Sequence, residues 1–261
     1  MSAPLDDLTS RITELRADLM FVAAASQLRP RLSEILDWTG PRGTLQLAQR
    51  FMDVKAARPE GIYGPFLVRL MAVFERYLRL LIVESVEHRT AAAKRFDDLP
   101  QKLVNRNLIL TGRILANLEN PRDYLTFNID GLIVNLATCK QGNASFKLNP
   151  QAFSTTVTGV NPTAIDKALE SIEVMECWDS VGSDPKLEKM LGTKGPRATG
   201  SQAGERLKEL SRWRNHLAHG GDEIVISEAQ LLDAIDFVAQ FSQSLDAAVK
   251  KQLNTASKKP R

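Results

Sequence analysis

The 261-residue chain predicts an all-α fold, and three observations carry that expectation. Apolar residues recur at three- and four-residue steps through most of the sequence, the pattern of a helix with one buried face. Strand-like signals are confined to short pieces such as "DEIVI" (222–226). No internal repeat or low-complexity tract interrupts the pattern. With 43% hydrophobic and 25% charged residues, the composition is that of an ordinary globular protein with a sizeable core.

The elements follow in order. Residues 5–28 form a long helical pattern, interrupted near Pro30, and "TLQLAQRFMDVKAA" (44–57) supplies another before the turn-like "RPEGIYGP". Together they predict an N-terminal helical hairpin, residues 1–58, packed on the rest. The strongest stripe is Leu67, Leu70, Met71, Phe74, Leu78, Leu81 and Ile82, with arginines on the opposite face, and it predicts a central core helix. Segments 99–118 and 121–139 read as helices started near Pro100 and Pro121. Residues 140–162 hold too many Gly, Asn, Ser, Thr and Pro for a regular element and predict an ordered loop. Residues 163–178 return to helix, whereas 180–202 mix Gly, Pro, Ser and Lys and predict a mobile connection. The last two helices are 203–219 and 227–253, joined by "GGDEIVI". The main helical domain is thus expected over 59–253, with a basic tail at 254–261. The predicted core includes Leu70, Phe74, Leu81, Leu132, Ile133, Leu136, Leu231, Ile235 and Val238.

Several chemistries are disfavoured. Cys139 and Cys177 lie far apart with no CxxC, which suggests neither zinc nor a disulfide framework and fits a reducing, cytoplasmic setting. The N-terminus carries acids where a signal peptide is basic then apolar, and the most apolar window is broken by Arg69, Glu75, Arg76 and Arg79, so no membrane partner is expected. "GPRATGSQ" (195–202) superficially resembles a phosphate loop but lacks the lysine before Ser201 and a strand leading in; it reads as a flexible linker. Glu84 and His88 have metal-ligand spacing without further ligands and read as a solvated face. No metal or cofactor is expected. The net charge of +3 permits a polyanionic partner without requiring one.

One stretch stands apart: "RWRNHLAHGG", Arg212 to Gly221, holds two of the three histidines in the chain. Cationic side chains complement a helix C-terminus, and Gly220 or Gly221 supplies a left-handed cap. That accounts for the glycines, less well for Asn215 and two clustered histidines.

"RNHLAH", with Arg214, Asn215 and His219, resembles the arginine, polar residue, three residues, histidine signature of the HEPN superfamily, placed as in that family near the end of a long helix. The core helix around "VRLMAVFERYLRLLIVE", the segments "FNIDGLIVNLATC" and "AFSTTVTGVNPTAIDKALESI", and the closing helix resemble, in order, the RiboL-PSP type of prokaryotic defence and RNA-repair neighbourhoods, over roughly residues 60–250. The resemblance implies a metal-independent RNA endonuclease, of toxin or defence type, in which two motifs of a homodimer face one cleft. It also admits an antitoxin or defence-system partner.

The chemistry suits these residues. RNA carries its own nucleophile, the 2′-hydroxyl, so catalysis needs a proton acceptor, charge stabilisation and a proton donor. His219 would exchange the proton, Arg214 would hold the non-bridging oxygens by a planar fork, and Asn215 would orient histidine or phosphate. A 2′,3′-cyclic phosphate and a 5′-hydroxyl are the expected products. Ideal helix geometry puts Arg214 and His219 about 140° apart, whereas Arg212, Asn215 and His219 fall within about 60°. The family pattern ranks Arg214 first, with Arg212 and His216 kept as substrate contacts and His216 also reading as an auxiliary or structural residue. In a related branch a modified tyrosine lies two residues past the histidine; Gly221 stands there instead. Two other readings stay open: a HEPN-like dimer that binds RNA or a partner protein without cutting, and a helical adaptor unrelated to RNA.

Overall fold

The computed structural model describes residues 2–36, 59–118, 127–140, 146–219 and 224–256. Among them the regular structure is helical throughout: α1 (Ala3–Leu36), α2 (Pro59–Ala92), α3 (Gln101–Ala116), α4 (Ile129–Lys140), α5 (Pro150–Ser154), α6 (Pro162–Ser171), α7 (Trp178–Val181), α8 (Pro185–Leu191), α9 (Pro196–Ala218) and α10 (Glu228–Ala256), with a 3-10 turn at Phe96–Asp98. "DEIVI" forms no strand in its described part; residues 224–227 are irregular.

The predicted stripe makes α2 the centre. Leu67, Leu70, Met71, Phe74, Leu78, Leu81 and Ile82 are all buried, and Phe74 packs edge-on against Phe241 of α10 at 5.9 Å between ring centroids. Tyr77, also fully buried, satisfies its hydroxyl by donating to the Ser242 carbonyl at 2.9 Å, because an unpaired phenol there costs a desolvation penalty. The α1 residues Leu5, Leu8, Ile12, Leu15 and Leu19 join the same core. Arg76–Asp7 and Arg69–Asp18 pairs tie α1 to α2, and an Arg16–Asp236 pair ties it to α10.

The structure corrects several of these readings, among them the turn-like "RPEGIYGP", which is helical from Pro59. α1 is not interrupted near Pro30 but runs to Leu36; a proline removes one helical hydrogen bond, a loss that α2 also carries at Pro65. The return arm of the expected hairpin, 44–57, lies outside the described residues. In the predicted core, Leu70, Phe74, Leu81, Leu132, Leu231, Ile235 and Val238 are buried, but Ile133 is 50% exposed and Leu136 is half-buried. The reason is that α4 turns a narrow face inward, through Leu132 and Cys139, so its apolar run is wider than its buried stripe.

The segment 180–202 is not a mobile connection. It contains the end of α7, all of α8 and about the first two turns of α9, and "GPRATGSQ" is helical from Pro196. Two glycines explain why. A Cβ on Gly182 would sit 2.0 Å from the Pro196 carbonyl oxygen, and one on Gly200 would sit 2.4 Å from the Trp178 carbonyl oxygen. The glycines therefore let the α7 and α9 backbones touch.

Residues 146–160 form the expected ordered loop around the single short helix α5. A buried polar knot holds it: the Asn149 backbone N–H donates to Asn107 at 2.8 Å, and its amide Nδ2 donates to Thr111 at 3.1 Å and to the Leu132 carbonyl at 3.0 Å. These bonds fasten the loop to α3 and α4, and satisfied burial is what orders such polar sequence.

Candidate functional site at the end of helix α9

Helix α9 carries "RWRNHLAH" on its last turns and delivers them to the bundle surface. Its inner face, Ala203, Leu207 and Leu210, is fully buried. Arg206 lies 5.3 Å over the Trp213 ring and pairs with Glu209 and with Asp233 of α10. That cluster fixes α9 against α10 one turn before the motif.

The terminal turn is held from the other side by α2. A Cβ on Gly64 would lie 3.0 Å from Leu217 Cδ2, so the glycine makes room for that leucine to pack. Tyr63 donates to Glu228, at the start of α10, at 3.3 Å. Burial, followed by the neighbouring Glu228 carboxylate, raises the Tyr63 hydroxyl above its ordinary range and keeps it a neutral donor.

Within the motif the structure joins Arg214 to Asn215. Half-buried Arg214 donates from Nη1 to Oδ1 of exposed Asn215 at 3.0 Å. The amide thus fixes the guanidinium laterally while leaving its own NH₂ outward. His219 is the C-cap, with φ −100° and ψ 12°, and its backbone N–H donates to the carbonyls of Asn215 at 3.2 Å and His216 at 3.3 Å. Its side chain is exposed. His219 thus keeps the helical bond to Asn215, and no hydrogen bond joins its side chain to Arg214 among the described residues. Gly220 and Gly221, read as the cap, lie outside the described residues.

Arg212 is exposed, and no hydrogen bond joins it to the Arg214–Asn215 pair among the described residues. His216 differs from its neighbours: it is half-buried, and its Nε2 is enclosed without a hydrogen-bond partner among the described residues. Sequence reasoning did not single out the residues that position this turn, namely Arg206, Trp213, Leu217, Tyr63 and Gly64. The Arg206 and Trp213 pair, seven apart and therefore on one helix face, was the available signal.

The two cysteines take no part. Both are buried and free, and burial pushes the Cys177 thiol up to about 12, where it is not a nucleophile at neutral pH. No helix among the described residues is long and apolar enough to cross a membrane.

Compared with known proteins, residues 53–251 match the model of the RiboL-PSP-HEPN family. No curated protein and no solved structure matches the chain.

Proposed function

The chain belongs to the RiboL-PSP-HEPN family, and from that premise we propose that it is a metal-independent RNA endonuclease of toxin or defence type, acting as a homodimer. The observation that carries the reading is the Arg214–Asn215 hydrogen bond at the turn where His219 is exposed. A held guanidinium and an exposed imidazole thus share the last turns of α9.

In the proposed reaction His219 removes the 2′-hydroxyl proton, and the resulting alkoxide attacks the adjacent phosphorus. Arg214 holds the non-bridging oxygens as charge builds on the phosphorane. The P–O5′ bond then breaks, and the 5′-oxygen takes a proton from the imidazolium of a second His219, supplied by the other subunit. Arg212, exposed about two turns before His219, contacts the incoming strand. His216, with its enclosed Nε2, supports the turn and contacts substrate only through its outer edge.

Incubation of the purified protein with RNA in the presence of a chelator tests the proposal. Cleavage should persist, leave 2′,3′-cyclic phosphate ends and disappear in His219→Ala. Activity that needed magnesium or manganese would overturn it, as would undiminished cleavage by the variant.

A further inference from the structure

A large cleft lies away from the motif. It lies along the middle of α2, has a volume of about 1140 Å³, and is walled by α2, α3, the α5 loop and α6. Its position on α2 separates it from the motif. Leu217 packs at Gly64, whereas the cleft begins at Arg76 and ends at Val83, and at 1.5 Å per residue that is roughly 18–28 Å along the helix.

The charge in this cleft is one-sided. Arg76 and Arg79 enter from α2, Arg106 and Arg113 from α3, and Lys167 from α6, against the single carboxylate Glu170. Five cations thus line the cleft to one carboxylate. Asp7 and Glu75 pair with Arg76 and Arg79. Arg106, Arg113 and Lys167 have no ion pair among the described residues. Arg106 and Arg113 are seven apart and so project from one face of α3. A helix dipole explains a cation at Arg113 in the last turn of α3, but not the convergence of three helices.

The floor is different in kind. Leu80, Val83, Ile114 and Val157 give it an apolar base. The nearby hydroxyls are already spent as donors: Ser154, Thr155 and Thr156 donate to the carbonyls of Gln151, Ala152 and Phe153. An anion in the cleft would therefore be met by guanidinium and ammonium groups, which suit phosphate. A ligand that is flat and apolar at one end and phosphorylated at the other matches both surfaces.

We infer that this cleft is a phosphate-binding site separate from the motif, built for a nucleotide unit whose base lies on the apolar floor and whose phosphates meet Arg106, Arg113 and Lys167. That unit comes either as a free nucleotide or as part of a strand. The inference stands whether or not the motif cleaves RNA.

Fluorescence titration of the full chain with two probes tests it: a fluorescent ATP analogue, and a labelled oligothymidylate, which lacks the 2′-hydroxyl and survives any cleavage. At least one probe should bind saturably and weaken with salt, with a log–log slope near −2 for about three phosphate contacts on a strand. Arg106→Glu with Arg113→Glu should weaken binding at least tenfold, and so should Lys167→Glu on a different helix. Lys186→Ala, an exposed cation outside both the cleft and the motif, should leave it unchanged. All the altered side chains are at or near the surface, and thermal melting confirms that each variant folds. Tight ATP-analogue binding assigns the free nucleotide and oligothymidylate binding alone assigns the strand. No saturable binding of either probe, or affinity unchanged in folded charge-reversal variants, overturns the inference.

Discussion

Arg214 shows how much one residue type can matter. Its fork donates to Asn215 through Nη1 at 3.0 Å and keeps further N–H groups for an anion. Lysine would keep the charge but not the fork, since an ammonium cannot be held by Asn215 and grip two phosphate oxygens in one plane. Arg214→Lys should therefore lose most of the cleavage activity, on the order of 10²-fold as when one oxyanion donor is removed. Stability should change by less than about 0.5 kcal/mol, as for a surface substitution. Single-turnover kinetics beside a urea titration separates the two; full activity in the lysine variant would show that charge alone suffices.

Among the elements, α9 is placed by contacts that its own propensity opposes. Glycine within a helix costs roughly 1 kcal/mol relative to alanine, yet α9 holds both Gly200 and Gly204. At Gly200 a Cβ would meet the Trp178 carbonyl oxygen at 2.4 Å, whereas at Gly204 the nearest atom is Pro162 Cγ at 3.7 Å, an ordinary contact. The clash outweighs the propensity at the first site and is absent at the second. Gly200→Ala should destabilise by about 1–3 kcal/mol, the usual cost of overpacking, while Gly204→Ala should stabilise by about 0.4–1 kcal/mol. Chemical denaturation of both variants checks the pair, and equal signs would contradict this packing.

Helix α8 is anchored by a charge. The Asp184 carboxylate accepts from Lys186 N at 2.8 Å as the N-cap, and from Gln240 and Ser244 of α10 at 2.6 Å each. Burial alone would raise its pKa, but the bonds from Ser244, Lys186 N, Gln240 and Leu187 N together hold it below the ordinary carboxylate value. A depressed folded pKa contributes stability that is fully present above the unfolded value of about 3.9 and lost as pH falls through the folded one. Asp184→Ala should cost about 1–2 kcal/mol at pH 7, as loss of a cap does. The gap to wild type should narrow below pH 4 in urea titrations. A gap independent of pH would mean that the charge contributes nothing.

At the scale of the whole molecule, the proposed reaction needs both a proton acceptor and a donor, while each chain offers one exposed His219 at the end of α9. A two-fold dimer supplies the second from the same surface used twice. Mixing His219→Ala subunits with wild type should make activity fall faster than the wild-type fraction. A strictly proportional loss would show that each chain carries an independent site.

Much of this protein was legible in the chain. Periodicity set α2 and its buried stripe, because a helix repeats every 3.6 residues and a stripe at that spacing can face only one way. The family was legible in "RNHLAH" and in the order of helices around it. Composition misread residues 180–202, since glycine, proline and serine signal a loop unless another backbone lies against them, and the contacts of Gly182 with Pro196 and of Gly200 with Trp178 span more residues than a helical repeat reports. Ile133 was misplaced for a related reason: periodicity marks an apolar face but not how much of it a neighbour covers. Tertiary structure alone packed Leu217 of α9 against Gly64 of α2. It alone gathered Arg76, Arg79, Arg106, Arg113 and Lys167, drawn from three helices, around one cleft. A sequence fixes the face each side chain takes on its own element, whereas convergence depends on how the elements pack.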